Sequence, residues 1–373
     1  MPLSIGILST YPPTQCGLAT FSSSLADALE AAGSAVGVVS AVDVAERAPS
    51  RRVAHHLVRN GRNAPAAARV LNDFDVVIVQ HEFGIYGGAD GEHLIDVLDE
   101  VSSRLIVVAH TVLRQPSVHQ RDVLKRIIHR ADAVVTMTLT ARRRLIDDYG
   151  IDGRKVVVIP HGATTMVPTP AAGRRPGPPR LLTWGLIGPG KGIESVVDAL
   201  SMLRALDPQP RYEVVGQTHP RVLERDGEAY RDRVRAHAVE LGVSHLVTFR
   251  PAYLDRDSLH RVISDADLVV LPYESHEQVT SGVLIEAVAA GKPVVATAFP
   301  HAVELLRSGA GITVPHGDPK ALAHAIQRVI CEPDLAESMV RRAAAAAVES
   351  SWPRVASRYQ ELGARLADAA LVA

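Results

Sequence analysis

The chain has 373 residues, of which 47% are hydrophobic and 22% charged, with a formal net charge of -1. That length exceeds one ordinary core and suits two α/β domains of similar size. The balanced charge leaves no global electrostatic case for nucleic acid as a partner, and the two distant cysteines, Cys16 and Cys331, suit reduced thiols rather than a disulfide framework.

The opening, MPLSIGILSTYPP, lacks a basic segment followed by a long apolar core, and no later run approaches the roughly 18 apolar residues of a membrane span. A soluble, cytoplasmic protein is the expectation. LSIGILS reads as a buried strand leading into a Pro/Gly loop, and FSSSLADALEAAG then repeats apolar residues at helical spacing up to Gly33. SAVGVVSAV, DVVIVQHEF, RLIVVAHTV, AVVTMTL and KVVVIPHG follow as buried strands, separated by helical stretches such as QRDVLKRIIHRA. From Met166 to about Pro179 the text becomes MVPTPAAGRRPGPP, which cannot continue a packed element and reads as a linker. A second series begins there: RLLTWGLI, RYEVVGQ, LVTFRPA, LVVLPY, PVVAT and GITVPHG, with helices between. Such alternation means parallel sheets covered by helices. The expected boundaries are 1–165 for the first domain, 166–180 for the linker, 181–350 for the second domain and 351–373 for a C-terminal helix that returns to the first.

In open parallel sheets ligands bind beyond the carboxyl ends of the strands, at the switch in strand order. In the second domain those ends carry GPGKG (Gly188 to Gly192), GQTHP (Gly216 to Pro220) and YESHEQVTSG (Tyr273 to Gly282). Gly188, Gly190 and Gly192 permit close backbone approach, and Lys191 brings a positive charge to the same turn. Thr280 or Ser281 can cap the helix that follows, and the free N–H groups at Thr280, Ser281 and Gly282 suit an anion. Together these describe a diphosphate site. Deeper on that helix stands Glu286, whose helical neighbours Gly282, Val283, Ala289 and Ala290 are all apolar or small. A carboxylate in such company either faces water or binds something, and a diol such as ribose is one candidate.

The segments STYPPTQCGLATFSSSLADAL, GLIGPGKGIESVVDAL and SGVLIEAVAAGKPVVAT, in this order along the chain, resemble glycosyltransferase family 4. The resemblance covers almost the whole chain and extends to the C-terminal SWPRVASRYQELGARL, similar to the family's returning helices. It implies an α/β GT-B fold, two doubly wound Rossmann-like domains facing a deep cleft, the first binding the acceptor and the second the nucleotide sugar. It further implies a retaining, metal-independent hexosyltransferase, a mannosyltransferase or glucosyltransferase by its donor. That donor would be GDP-mannose or UDP-glucose, with no other cofactor, and the acceptor a small-molecule, glycan or lipid-linked hydroxyl.

Residue by residue, Lys191 matches the family lysine that neutralises the donor diphosphate, and Glu286 the second acid of the E-x7-E motif, expected on the donor ribose. Thr280, Ser281 and Gly282 resemble the loop whose amides hold the phosphates, with Gly190 and Gly216 in the neighbouring donor turns. Gly17 resembles the turn that lets a substrate approach the backbone, His110 a histidine that contacts the donor sugar, and His81 falls where acceptor contacts are common. The chain departs from the family twice: Gln278 stands in place of the first Glu of E-x7-E, next to Glu277, and Leu186 in place of an Arg five residues before Lys191. Arg250 and Arg307 are candidate replacements for that cation.

Competing readings are weaker. A glycoside hydrolase would draw a carboxylate pair from Glu274, Glu277 and Glu286 but would leave Lys191 without a task. A dinucleotide-binding oxidoreductase lacks G-x-G-x-x-G after the first strand, where YPPTQCG stands. A non-catalytic sugar-nucleotide-binding protein gains from Leu186 and Gln278. DFD (Asp73 to Asp75) and DAD (Asp265 to Asp267) look like metal motifs but precede buried strands, as turn and cap residues do. Arg121 to Arg130 and Arg142 to Arg144 read as solvated basic faces that also offer a weak peripheral contact to an anionic membrane. The sequence leaves the oligomeric state open.

Overall fold

The computed structural model describes residues 3–44, 51–164 and 177–372. The chain forms two compact units, one of residues 1–162 and 349 onward, the other of Ala163–Val348. Of the interval 166–180, residues 166–176 lie outside the described residues, and by Arg180 the chain is already in a strand. Among the described residues no helix is long and apolar enough to cross a membrane.

Unit 1 is built on seven parallel strands: β1 (Ser4–Ser9), β2 (Ala35–Val42), β3 (Val53–Val58), β4 (Val76–His81), β5 (Arg104–Ala109), β6 (Ala133–Thr136) and β7 (Val156–Val158). Their order, β3-β2-β1-β4-β5-β6-β7, reverses direction between β1 and β4. Central strands such as VVIV in β4 and LIVVA in β5 are buried on both faces, which explains their unbroken apolar runs. β3 has no counterpart in the sequence reading, because VAHHLV is an edge strand whose half-exposed histidines interrupt the apolar signal.

The helix Trp352–Val372 belongs to unit 1. Val355, Ala356, Tyr359 and Leu362 enter one core with Ile5, Ile7, Phe21 and Leu25. Arg358 Nη2 donates to the Val158 carbonyl at 2.6 Å and Gln360 Nε2 to Ser34 Oγ at 2.8 Å, so both the sheet and the turn after the helix Gly17–Ala31 hold it.

Unit 2 is built on six parallel strands: β8 (Arg180–Trp184), β9 (Arg211–Val215), β10 (Val247–Arg250), β11 (Leu268–Leu271), β12 (Val294–Thr297) and β13 (Gly311–Val314), in the order β10-β9-β8-β11-β12-β13. One core packs Leu181, Val196, Val214 and Ile326 against one face, and another packs Leu182, Leu271, Leu284 and Phe299 against the other. The order switches between β8 and β11. Asp75 and Asp267 sit at the opposite, amino-terminal ends of the sheets. Asp75 Oδ2 accepts from the Ser4 amide at 2.8 Å and Asp267 Oδ2 from the Arg180 amide at 2.8 Å, so both carboxylates are spent on tying strand starts together.

Tyr359 is 1% exposed. Its replacement by Ala is expected to cost unit 1 about 3 kcal/mol or more through lost burial and the resulting cavity, read as an earlier urea transition of unit 1 probes with that of unit 2 unchanged.

Candidate active site

Three turns of unit 2 meet at the carboxyl ends of β8, β9 and β11, around the switch in strand order. The turn after β8, Gly185–Gly192, is held to the turn after β9 by backbone bonds from Ile187 N to the Gln217 carbonyl (2.9 Å) and from His219 N to the Ile187 carbonyl (2.8 Å). It is held to the segment after β11 by a bond from Glu274 N to the Gly190 carbonyl (3.0 Å). The backbones approach so closely that a Cβ at Gly216 would lie 1.8 Å from the Gly185 carbonyl oxygen, and one at Gly192 would lie 1.9 Å from that of Pro272. Both glycines also have positive φ, 140° and 63°, which L side chains rarely adopt.

This packing places Lys191 against the segment that follows β11. Its Nζ lies 4.2 Å from the centre of the Tyr273 ring, a cation–π contact. Tyr273 is buried and stacks on Phe299 with ring centres 5.3 Å apart. Burial pushes the Lys191 ammonium down to about 8, so it is mostly charged at neutral pH but not strongly so. Gly190, with φ of 85°, has open space where a side chain would stand.

The helix Gly282–Ala289 starts beside this turn. Its cap is Ser281, whose side chain accepts from Leu284 N at 3.2 Å. The Ser281 amide, expected to face an anion, instead donates to His301 Nδ1 at 2.8 Å, because buried His301 from the next strand-end helix reaches it first. The available amides are those of Gly282 and Val283, one residue further along. Thr280 is not the cap. Its Oγ1 is buried without a hydrogen-bond partner, and its carbonyl accepts from Gln278 Nε2 at 3.1 Å. Gln278 therefore donates here as no carboxylate could.

Glu286 lies one turn deeper, half-buried. Its Oε2 accepts from Trp184 Nε1 at 3.3 Å. Burial pushes the carboxyl up to about 7, opposed by the indole bond and by the charge of Arg256.

Sequence reasoning missed Arg231. This arginine is 2% exposed, and its Nη2 donates to the Gly216 carbonyl (3.0 Å) and Thr218 Oγ1 (3.2 Å) while Nε donates to Glu228 (3.0 Å). Thr218 Oγ1 also donates to Glu228 at 2.6 Å, closing the network under the β9 turn. The only signal was the acid–base pair at i, i+3 in GEAYR. Arg250 and Arg307, the candidates for a replacement cation, are both exposed, at the end of β10 and just past the helix Pro300–Leu306.

In unit 1 the expected residues gather at the carboxyl ends of β1, β4 and β5. Gly17 opens the helix Gly17–Ala31 behind the Cys16 cap, and nothing lies within 4 Å of a Cβ placed on it. His110 Nε2 pairs with Gln80 Oε1 at 2.7 Å and its ring meets Phe21 edge-on at 5.0 Å. His161 packs on the other side of Phe21, at 4.8 Å. Burial pushes His110 down to about 3 and His161 to about 4, so both are neutral at neutral pH. His81, expected to contact the acceptor, is instead 1% exposed, with its ring against Phe83 and neither nitrogen hydrogen-bonded.

The glycosyltransferase family 4 model matches residues 16–166, and the model for glycosyl transferases group 1 matches residues 170–346. Curated relatives include two D-inositol 3-phosphate glycosyltransferases. The one from Acidothermus cellulolyticus is 32% identical over 240 residues, 61% of this chain and 51% of the relative. The one from Geodermatophilus obscurus is 30% identical over 305 residues, 74% of this chain and 65% of the relative. The chain thus spans about half to two thirds of the length of these relatives. Among solved structures, a sucrose-phosphate synthase from Thermosynechococcus elongatus superposes with a TM-score of 0.76 at 21% identity, covering 99% of this chain and 100% of that one. A glycosyltransferase from Rickettsia africae gives 0.76 at 18% identity over 98% of each chain. The fold is that of the GT-B glycosyltransferases, and the chain belongs to their family 4 type.

The two glycine classes make opposite expectations. Gly216→Ala should destabilise unit 2 by about 2 kcal/mol or more, from strain and backbone clash. Gly17→Ala, in open space at ordinary φ, should stay within about 0.5 kcal/mol of the parent. Chemical denaturation of both variants checks this.

Proposed function

We propose that the protein is a retaining hexosyltransferase that moves mannose or glucose from a nucleoside-diphosphate sugar, GDP-mannose or UDP-glucose, to a hydroxyl acceptor. The observation that carries this reading is the convergence of the Lys191 ammonium, the first-turn amides of Gly282 and Val283, which have no acceptor within their helix, and the Glu286 carboxylate on one switch point of unit 2. A diphosphate fits the first two and a ribose diol the third. The name of the curated relatives adds an inositol phosphate to the acceptors worth testing.

As the anomeric C–O bond breaks, the sugar becomes cationic and the diphosphate gains negative charge. Lys191 and the helix start favour that charge where it develops, a contribution typically of about 3 kcal/mol per lost donor. Retention follows if the acceptor hydroxyl enters on the leaving-group face and gives its proton to a donor phosphate oxygen. His110, neutral and braced by Gln80, then serves the sugar through hydrogen bonds rather than charge. No resident metal enters this scheme, since the residues at the diphosphate are a lysine and amides.

One specific arrangement favours a second reading, a protein that binds a sugar nucleotide without turnover: Leu186 replaces a cation, and Gln278 is engaged with the Thr280 carbonyl. Turnover separates the two. Purified protein incubated with each nucleotide sugar and an acceptor panel that includes inositol phosphates should release nucleoside diphosphate and give an α-linked product by proton NMR. Binding without release in every pairing would favour the second reading.

Lys191→Ala and Glu286→Ala are each expected to lower kcat/KM for the donor by roughly 100-fold with unfolding midpoints near that of the parent. A parental rate in either variant would remove that residue from the donor site.

A further inference from the structure

Glu286 has two oxygens with different surroundings. Oε2 takes the Trp184 indole N–H at 3.3 Å, and Oε1 takes no hydrogen bond among the described residues. The donor is unambiguous: an indole nitrogen has one hydrogen and no lone pair to offer. Trp184 is the last residue of β8, 3% exposed, and packs in a core with Leu271, Tyr273 and Leu284. Its ring has no freedom to follow a mobile carboxylate, so the carboxylate is held by the ring. The same residue directly precedes the Gly185 turn, which links the ribose-side carboxylate to the backbone that carries Lys191.

We propose that Trp184 is a positioning residue for donor binding, holding the Glu286 carboxylate by Oε2 so that Oε1 is aimed outward to accept from the ribose of a nucleoside-diphosphate sugar. This rests on the reading of Glu286 as a donor contact. The groups that bear on this carboxylate from the packed elements are the Trp184 N–H from β8, Tyr273 beyond β11 and Arg256 at the start of the helix Arg256–Asp265, with Lys191 lying across the Tyr273 ring. Arg256 and the indole bond both favour the ionised carboxylate, and Tyr273 is un-ionised at neutral pH because burial pushes its phenol up.

The sign of the effect follows. Donor affinity should fall on the acid side as Glu286 protonates and on the alkaline side as Lys191 loses its charge. Removing the indole N–H withdraws a group that favours the ionised carboxylate, so the acid limb should move to higher pH while the alkaline limb stays.

The test is a calorimetric pH series from about pH 5.5 to about pH 8.5 with GDP-mannose and UDP-glucose, a range that spans the two protein groups and stays below the ionisation of the guanine and uracil N–H groups. Wild type, Trp184→Phe and Glu286→Gln are compared, with thermal melts to confirm folding and Trp184→Tyr as a second variant should Trp184→Phe fail to fold. Trp184→Phe is expected to bind roughly ten-fold more weakly at pH 7, with its acid limb displaced upward and its alkaline limb unchanged. Glu286→Gln should lose the acid limb altogether. An acid limb in Trp184→Phe identical to that of the parent, with Glu286→Gln lacking one, overturns the role of Trp184 alone. Parental affinity and parental limbs in Glu286→Gln overturn the donor reading of Glu286 itself.

Discussion

The site in unit 2 depends on backbone packed against backbone. The turns after β8 and β9 and the segment after β11 leave no room for a Cβ at Gly192 or Gly216, and the buried Arg231 network holds the β9 turn from beneath. Without that contact Lys191 would have a long, mobile stem in solvent. With it the ammonium sits on the Tyr273 ring, partly dehydrated, where its attraction for a diphosphate is less screened than on a free surface. Dehydration also lowers its hold on its proton, so the same packing that strengthens the interaction limits it at alkaline pH.

The carboxylate shows a parallel balance. An isolated acid in a half-buried apolar helix would favour the neutral form, and burial does push Glu286 in that direction. The Trp184 bond and the Arg256 charge oppose it. Lysine and carboxylate are therefore both held near the edge of their charged states at neutral pH, a condition common at functional sites and rare on solvated surfaces.

Much of the architecture was legible in the sequence, for a physical reason. Parallel strands buried on both faces must be continuous apolar runs, and each of the runs read as a strand, from LSIGILS to GITVPHG, carries one. The edge strand β3 escaped because half-exposed His55 and His56 break that pattern. The switch points were legible in principle too, since the turns that end the strands there carry the glycines. What the sequence could not show is which side chains converge across them. Trp184 and Glu286 are far apart in the chain, as are Arg231 and Gly216, and neither pair has a periodic or local signature. His301 taking the Ser281 amide is of the same kind, and it moved the available helix-start amides by one residue. The burial of His81 was not legible, because a histidine at a strand end looks alike whether it faces solvent or the core.

The proposed function stands or falls on a nucleoside diphosphate held in unit 2 between Lys191, the start of the helix Gly282–Ala289 and Glu286. The most direct measurement is calorimetric titration of the whole protein with GDP, UDP and ADP, each with and without a divalent cation, in parallel with Lys191→Ala. One nucleotide is expected to bind without a metal, and Lys191→Ala to weaken it by at least roughly ten-fold. Binding of none of the three, or equal binding by the parent and Lys191→Ala, would contradict it.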